Sequence, residues 1–281
     1  MVCKRLLPSV ELKNFIKEYV IAHFSFNDYS RLPPLRVYPA NPEEAIRFII
    51  HGKLFSTNNE TGKIIETPAI SIIGQPTIRQ NLQITNEYLM LYVRFQPGSL
   101  FKLLGIPMPL FNDGHIDATI ILGNEIQEVQ EQLYYCETYD NMISLLNNYL
   151  LKKFRSLKHE SHPVYDIGRI ILQDPQKFNL EIYAKKACLS YRQFEKRFQQ
   201  SIGITPKYYA RICRFYQAFE LKECNPTLDW LSVAVHAGYN DYQHLVKDFK
   251  AFAGTTPNIL IEESLNSPSR MFAASSDFRG V

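Results

Sequence analysis

The sequence reads SYRQFEKRFQQSIGITP at residues 190–206 and DYQHLVKDFKAFAGTTP at residues 241–257. At this offset of 51 residues the two stretches share a Tyr, a Lys, a Phe, a Gly and a Thr-Pro pair. The matched positions are Tyr191 and Tyr242, Lys196 and Lys247, Phe198 and Phe249, Gly203 and Gly254, Thr205 and Thr256, and Pro206 and Pro257. This repeat predicts two copies of one unit, an amphipathic helix that ends at a Gly-x-Thr-Pro break.

Each copy is preceded by a second, shorter helical stretch, at residues 180–188 and 228–237. Small residues in these stretches allow two helices to cross closely, and a short helix, a tight turn and an amphipathic helix form a helix-turn-helix. Ser190 is a natural N-cap, and Gln193 three residues later completes a capping box. Asn240 or Asp241 caps the second copy.

The long helix of each copy has an apolar and a polar face. Tyr191, Phe194 and Phe198 are predicted to face the core in the first copy, and Leu245 and Phe249 in the second. Arg and Lys suit the acceptors of guanine, Gln suits adenine, and Glu accepts from cytosine. Double-stranded DNA is therefore the predicted partner, and the predicted DNA-binding residues are Ser190, Arg192, Gln193, Glu195, Lys196, Tyr242, Gln243, His244 and Lys247.

Several of these positions have a second interpretation. Glu195 could pair with Arg192, and His244 could be a packed or capping residue. Asp248 places a negative charge near the second recognition helix. The Lys and Arg side chains that are predicted to help with phosphates without specifying sequence are Lys185, Lys186, Lys207 and Arg211.

The helix between the copies is predicted to begin at Pro206 and to end near Cys224, with proline at a permitted early position. Sixteen residues of such a helix, from Pro206 to Leu221, span roughly 24 Å. A rigid spacer of this length could hold two recognition helices about one DNA turn apart, roughly 34 Å.

The charge is concentrated in this half of the chain. Residues 1–164 have 16 basic and 16 acidic side chains, so their net charge is 0. Residues 165–260 have 13 basic and 9 acidic side chains, a net charge of +4, and residues 261–281 have 2 basic and 3 acidic, a net charge of −1. Eight basic residues against Glu195 alone lie within 185–214, which favours a polyanionic partner. Because the second copy carries Asp229, Asp241 and Asp248, the first copy is expected to anchor and the second to bind more weakly.

Residues 164–262 resemble the double helix-turn-helix domain of AraC/XylS-type bacterial transcription regulators. The resemblance rests on Tyr183-Ala184 to Leu189-Ser190, Phe194, Phe198, Gly203-Ile204-Thr205-Pro206, Val233-Ala234, Gly238-Tyr239, His244, Phe249 and Gly254-Thr255-Thr256-Pro257. It implies binding of two successive major-groove segments and control of transcription. The sequence departs from the family at Ala187-Cys188, where a Gly is common, and at Leu245, where Phe is frequent.

The N-terminal half has a different texture. A helix is predicted over residues 11–24, because Leu12, Phe15, Ile16, Tyr19 and Val20 form one apolar stripe. Strands follow at residues 45–51, 64–66, 69–73, 82–84 and 88–95, which suggests a small antiparallel barrel or sandwich. A short helix that Gly105 terminates and two longer helices at 124–135 and 139–157 come next. The stripe of Met142, Leu145, Leu146, Tyr149 and Leu150 could be core or a dimer seam.

The predicted architecture is α+β with two domains. A β-rich sensor or oligomerisation domain covers 1–157, a linker 158–163, the all-α DNA-binding domain 164–264 and a mobile tail 265–281. The first domain resembles the cupin-like barrels that precede such DNA-binding domains. That resemblance implies a small-molecule effector or a homodimer, and RNA polymerase is a further candidate partner.

Other classes of function have little support in the sequence. The five cysteines are odd in number and not in a Cys-x-x-Cys pattern, which indicates reduced thiols in a cytoplasm. No membrane span, cofactor, metal site or enzyme motif is predicted, and His159 and His162 with Glu160 between them are interpreted as polar linker residues. One alternative is an enzyme fused to a helix-turn-helix domain, such as a DNA-repair alkyl transferase, which requires a reactive Cys in the N-terminal half. Another is a small-molecule-binding module that has lost its DNA contacts.

Overall fold

The N-terminal part of the computed structural model, which describes residues 2–26, 35–57, 62–157 and 162–266, is built on two antiparallel sheets. The larger has the strand order β1-β2-β9-β4-β7-β10 and the smaller the order β3-β8-β5-β6. The strands are β1 (Val2–Leu6), β2 (Ile16–Ser25), β3 (Arg36–Tyr38), β4 (Ala45–His51), β5 (Leu54–Thr57), β6 (Ile64–Glu66), β7 (Ile70–Ile73), β8 (Gln80–Ile84), β9 (Glu87–Phe95) and β10 (Ile116–Asp117). The predicted strands and the β-rich character of this half are confirmed.

The predicted helix over residues 11–24 is wrong. Only Val10–Leu12 forms a short 3-10 helix, and the remainder is β2, which pairs with β1 and β9. This strand is buried on both faces, because Val20, Ala22 and Phe24 point between the sheets while Ile16, Tyr19 and Ile21 pack against helices. A strand with two buried faces has a nearly continuous apolar run, which periodicity alone does not separate from a helix.

The space between the two sheets is apolar and incompletely filled. Alternate residues of β2, β4, β8 and β9 face inward, as the period of two along a strand requires. They enclose a small cavity of about 70 Å³.

The outer face of the larger sheet is covered by helices. They are α1 (Ser99–Leu104), α2 (Ala118–Leu122), α3 (Asn124–Tyr134) and α4 (Tyr139–Ser156), with a 3-10 turn at Met108–Phe111. Gly105 ends α1 in the left-handed conformation at φ 67°, as predicted. Met142, Leu146, Tyr149 and Leu150 of α4 are buried in the core against the sheet, so this stripe is core within the chain.

The C-terminal part is entirely helical in its described residues. Its elements are α5 (Pro163–Gln173), α6 (Leu180–Lys186), α7 (Tyr191–Ile202), α8 (Pro206–Cys224), α9 (Trp230–His236), α10 (Tyr242–Ala253) and α11 (Pro257–Leu265), with a 3-10 turn at Pro175–Lys177. A single cluster of buried side chains joins all seven helices. None of the described helices is long and apolar enough to cross a membrane.

The proposed domain boundaries stay predictions. Residues 158–161 of the predicted linker, with His159 and Glu160, lie outside the described residues. So does the predicted tail from residue 267 onward, while Leu265 belongs to α11.

Glu44 is a buried acid next to α1. One oxygen of its carboxyl group accepts a hydrogen bond from the Gly98 backbone N–H at 3.3 Å, and the other oxygen has no partner in the described chain. Burial raises the pKa of Glu44 from its ordinary value of 4.5 to about 8. The side chain is therefore protonated in the folded protein at neutral pH.

This raised pKa predicts a pH-dependent stability. Below pH 4.5 Glu44 is protonated in both the folded and the unfolded chain, and its full contribution to the unfolding free energy is present. This contribution falls as the pH rises above 4.5 and is lost once the pH has passed about 8. Between pH 5 and pH 8.5 the wild type should lose about 4 kcal/mol of unfolding free energy relative to Glu44→Gln. Denaturant titrations of the two proteins measure the difference, with the exposed Glu11→Gln as the control. Parallel pH profiles for the wild type and Glu44→Gln would contradict the assignment.

Candidate nucleic-acid interface

The two helix pairs α6–α7 and α9–α10 are joined by turns of the same geometry. In the first, the backbone N–H of Cys188 donates to Lys185 and that of Leu189 to Ala184, both at 3.0 Å. The second repeats this pattern, from Gly238 to Val235 at 3.0 Å and from Tyr239 to Ala234 at 2.9 Å. The sequence difference at Cys188 therefore leaves the turn intact.

A left-handed residue is required in each turn. Gly238 has φ 73°, a conformation that costs glycine little conformational energy because it has no Cβ. Cys188 has φ 54°, where its Cβ makes the left-handed conformation less favourable. Cys188 is exposed. The first turn thus accepts a strained residue where the second uses glycine.

The start of α7 has the predicted capping box. The Ser190 hydroxyl accepts from the Gln193 backbone N–H at 3.4 Å, and the Gln193 side chain accepts from the Ser190 backbone N–H at 3.1 Å. Both residues are exposed at the end of the helix. Their side chains bond to each other, so a contact with a ligand would have to share or replace these hydrogen bonds.

The outer face of α7 exposes the predicted basic residues. Arg192 and Lys196 are exposed and Glu195 is half-buried, while Phe194 and Phe198 are fully buried on the other face. Among the described residues, no carboxylate lies within ion-pair distance of Arg192 or Lys196, so Glu195 does not neutralise Arg192. The prediction that Tyr191 faces the core is wrong. Its side chain is 51% exposed, because the first turn of α7 lies beside Glu181 of α6 rather than over the core.

The N-terminal end of α10 is built in a related way. Asp241 caps it, accepting from the His244 backbone N–H at 2.8 Å, and this hydrogen bond lowers the pKa of Asp241. The His244 ring is 2.9 Å from the same carboxylate, which supports the capping interpretation of this histidine. Tyr242, Gln243 and Lys247 are exposed, and Leu245 and Phe249 are buried as predicted.

Comparison with protein families identifies this part of the chain. Residues 183–262 match the model of a family described as a helix-turn-helix domain, and the match runs from within α6 to within α11 and includes α7, α9 and α10. The C-terminal part is an AraC-type helix-turn-helix domain. Residues 4–117 match a second model, which is described as a domain of unknown function (DUF6597). A curated relative from Haemophilus influenzae, an uncharacterized HTH-type transcriptional regulator, is 32% identical over 90 residues. This match covers 31% of the chain and 30% of the relative's length.

Solved structures with a similar arrangement include ToxT from Vibrio cholerae. It aligns with a TM-score of 0.48 and 10% identity over 87% of this chain and 98% of that chain. The DNA-binding domain of AdpA, a global transcriptional factor solved with a target DNA, aligns with a TM-score of 0.34 and 23% identity. That alignment covers 37% of this chain and 95% of the AdpA domain.

Asp248 of the AraC-type domain does not lie at the surface, where the sequence pattern places its charge. It is 5% exposed, lies 2.7 Å from Arg211 and 3.7 Å from Arg214 of α8, and accepts from the Tyr239 hydroxyl at 3.1 Å. Its charge is balanced internally, so it does not repel a polyanion at the outer face. The ion pairs tie α10 to α8. No local pattern indicates this pairing, since 37 residues separate Arg211 from Asp248.

The additional basic residues divide into two groups. Lys185, Lys186 and Lys207 are exposed, and Lys186 lies over the Tyr183 ring at 5.9 Å. Arg211 instead pairs with Asp248 and is 39% exposed, so it is less available to phosphates than predicted.

The cysteines of the N-terminal part do not have the environment of a nucleophile. Burial raises the pKa of the Cys3 thiol and of the Cys136 thiol. A reactive cysteine needs the opposite shift, toward the thiolate. The fused-enzyme alternative therefore has no supporting thiol among these two residues.

The N-terminal part contacts the AraC-type domain at the far ends of both recognition helices. The Asn112 side chain donates to the carbonyl of Gly203, which ends α7, at 2.8 Å. The Ala40 backbone N–H donates to the Phe252 carbonyl of α10 at 3.0 Å. Arg79 forms two hydrogen bonds with Glu263 of α11, at 2.8 and 3.0 Å. Contacts at three places thus link the N-terminal part to the ends of α7 and α10 and to α11.

Proposed function

We propose that the protein is a sequence-specific DNA-binding transcription regulator that reads two successive major-groove segments. The observation that carries this proposal is the repeat of one helix-turn-helix unit, in which the first turns of both recognition helices, α7 and α10, are exposed and polar. Its match to an AraC-type domain supports the same conclusion. The protein acts by binding rather than by catalysis.

Within this proposal the two helices have different roles. Arg192 and Lys196 of α7 donate to guanine acceptors, and Glu195 accepts from cytosine. Gln243 of α10 pairs with adenine, and Lys247 contacts guanine or phosphate. Ser190, Gln193, Tyr242 and His244 lie at the helix starts, where they position the helices on phosphates.

The helix α8 supports a two-segment arrangement. Its 19 residues, Pro206 to Cys224, give a rigid element of roughly 28 Å. Reading adjacent major grooves on one side of the duplex needs a separation of about 34 Å between half-site centres. The lengths of α8 and of the helix-turn-helix units at its two ends are compatible with this spacing.

The proposal is tested by selecting duplexes from a random library with the purified full chain. We expect enrichment of one consensus, and an affinity for it that falls as salt is raised, because basic side chains displace counterions. Recovery of only unenriched sequence, bound no better than competitor DNA, would contradict a sequence-specific function.

The N-terminal part is proposed to regulate DNA binding through the three contacts described above. Each contact residue lies within three positions of a residue that lines the cavity between the sheets. The pairs are Ala40 with Tyr38, Arg79 with Gln80, and Asn112 with His115. A ligand in the cavity would therefore act on segments that hold the ends of α7 and α10. Homodimer formation, contact with RNA polymerase and a cytoplasmic location remain predictions from the sequence.

The Arg79–Glu263 pair offers a direct check of this linkage. The pair is bidentate and its side chains are 17% and 31% exposed, so we expect a coupling energy of about 1 kcal/mol. A double-mutant cycle with Arg79→Ala, Glu263→Ala and both together, read by denaturant unfolding of the full chain, measures it. Strictly additive effects would show that the contact does not hold the two parts together in solution.

A further inference from the structure

The cavity between the two sheets is lined by apolar side chains together with polar ones, among them Arg36, Arg47 and Arg94. Val20, Ala22, Leu82 and Met90 are among the buried side chains that line it. In the middle of β4, Arg47 takes an inward position between Ala45 and Ile49, which also face inward. Its strand neighbours in register are Tyr92 of β9 and Ser71 of β7.

Arg47 is buried without a counter-charge. It is 2% exposed, and its Nη2 donates to the hydroxyls of Thr67 at 2.8 Å and Ser71 at 2.9 Å. The Nε hydrogen has no acceptor, and no carboxylate of the described chain lies within 4 Å of the guanidinium. The contrast is Arg94 of β9, which also lines the cavity but pairs with Glu18 at 2.7 Å and Glu43 at 2.9 Å.

Two further polar groups of the cavity wall also lack partners. The Tyr88 hydroxyl and both ring nitrogens of His115 are buried and make no hydrogen bond within the described chain. Burial lowers the pKa of His115 to about 3, so its ring is neutral and offers one donor and one acceptor. Unpartnered polar groups are rare in protein interiors, and three in one cavity indicate that something else satisfies them.

We propose that this cavity binds a monocarboxylate with an apolar body, and that the carboxylate pairs with Arg47. This assignment rests on the regulatory role proposed for the N-terminal part and names the class of its effector. A buried charge is costly unless it is paired, and the planar guanidinium fork matches a carboxylate in geometry. The Tyr88 hydroxyl and a His115 N–H donate to the remaining oxygen lone pairs.

The surroundings favour a single negative charge on an apolar ligand. A neutral ligand leaves Arg47 uncompensated, and a dianion brings a second negative charge into a cavity where Arg94 is already paired with Glu18 and Glu43. Arg36, the other cationic side chain at the cavity without an ion pair in the described chain, is only partly buried and lies 5.4 Å from the Tyr38 ring centre. Its charge is therefore partly screened by solvent.

Calorimetric titration of the full chain with octanoate, in the absence of DNA, tests this proposal. The matched ligands are octanamide, which keeps the apolar body without the charge, and inorganic phosphate, which has charge without the apolar body. Octanoate should bind at least about tenfold more tightly than octanamide, and phosphate should not compete. Equal binding of the acid and the amide, or no binding of octanoate, would overturn the proposal.

Variants locate the carboxylate. Arg47→Met should lower octanoate affinity by about tenfold or more, whereas Lys53→Met, which removes an exposed positive charge from the same part of the chain, should change it by less than about twofold. If Arg47→Met fails to fold, Tyr88→Phe removes only the unpartnered hydroxyl and should weaken octanoate by about threefold or more. Undiminished affinity in Tyr88→Phe and in a folded Arg47→Met would place the acid elsewhere. Octanoate binding is measured without DNA, so a failure to bind octanoate contradicts only the ligand proposal. A failure to select a duplex contradicts only the DNA-binding proposal.

Discussion

Replacing Arg192 and Lys196 together by alanine is expected to weaken binding to the selected duplex by roughly 100-fold. Both side chains are exposed on α7 and neither has an ion pair in the described chain, so both are available to bases. A good side-chain contact to a base edge contributes about 1–3 kcal/mol, and two of them account for a loss of this size. Fluorescence anisotropy with the full chain at one fixed salt concentration measures it.

The matched control is Lys4→Ala with Lys13→Ala. These two lysines are exposed in the N-terminal part, so the double variant loses the same formal charge far from α7 in sequence. We expect less than about a twofold change in affinity, because only long-range attraction is reduced. Unchanged affinity after the loss of Arg192 and Lys196 would remove α7 from the interface, and it would favour a module without DNA contacts.

Replacing Asp248 by alanine is expected to cost about 3 kcal/mol of unfolding free energy. The carboxylate is 5% exposed and balances Arg211 and Arg214, while Tyr239 donates to it. Removing one partner of a buried ion pair leaves the other charges uncompensated, which costs more than the pair itself contributes. Denaturant unfolding measures the loss, and DNA affinity should fall as well, because α10 is no longer fixed to α8.

Asp241→Ala is the matched control for this effect. It removes a carboxylate from the same helix, but from an exposed N-cap, where a clearly smaller loss of unfolding free energy is expected. An Asp248→Ala protein as stable as Asp241→Ala would mean that the Arg211–Asp248 pair is open in solution.

The features that can be predicted from the sequence are those set by local chemistry. Ser190 with Gln193, Asp241 and Gly203 mark the ends of helices within a few residues, so the positions of α7 and α10 follow from the sequence alone. The strand from Ala45 to His51 is equally clear, because it is rich in isoleucine and bounded by turn signals. A repeat of 51 residues adds independent support, since two copies must satisfy one pattern.

The features that cannot be predicted depend on contacts between distant segments. The stripe from Leu12 to Val20 fits a helix and a doubly buried strand equally well, and only its pairing with β1 and β9 decides. Asp248 has its partners on α8, 34 and 37 residues away, so its sequence neighbours do not reveal that it is buried. Arg47 stands out in an apolar strand, but its isolation inside the cavity follows only from the packing of two sheets.

The second helix-turn-helix copy is expected to bind DNA more weakly than the first, but its acidic residues are not the reason. The sequence predicts weaker binding by the second copy because of Asp229, Asp241 and Asp248. Asp248 is neutralised inside the domain, and Asp229 and Asp241 are helix caps whose carboxylates accept backbone N–H groups. The remaining asymmetry lies in the basic residues themselves, which are more numerous around α7 than around α10.

The most direct measurement of the central claim is guanine methylation interference on the selected duplex with the full chain. Methylation at guanine N7 blocks the major groove, where the recognition helices are proposed to bind. We predict two clusters of interfering guanines on one side of the duplex, centred about one turn, roughly 10 base pairs, apart. Arg192→Ala with Lys196→Ala should erase only one of them. Absence of major-groove interference, or a single cluster that variants of either helix abolish, would contradict the binding of two successive major-groove segments.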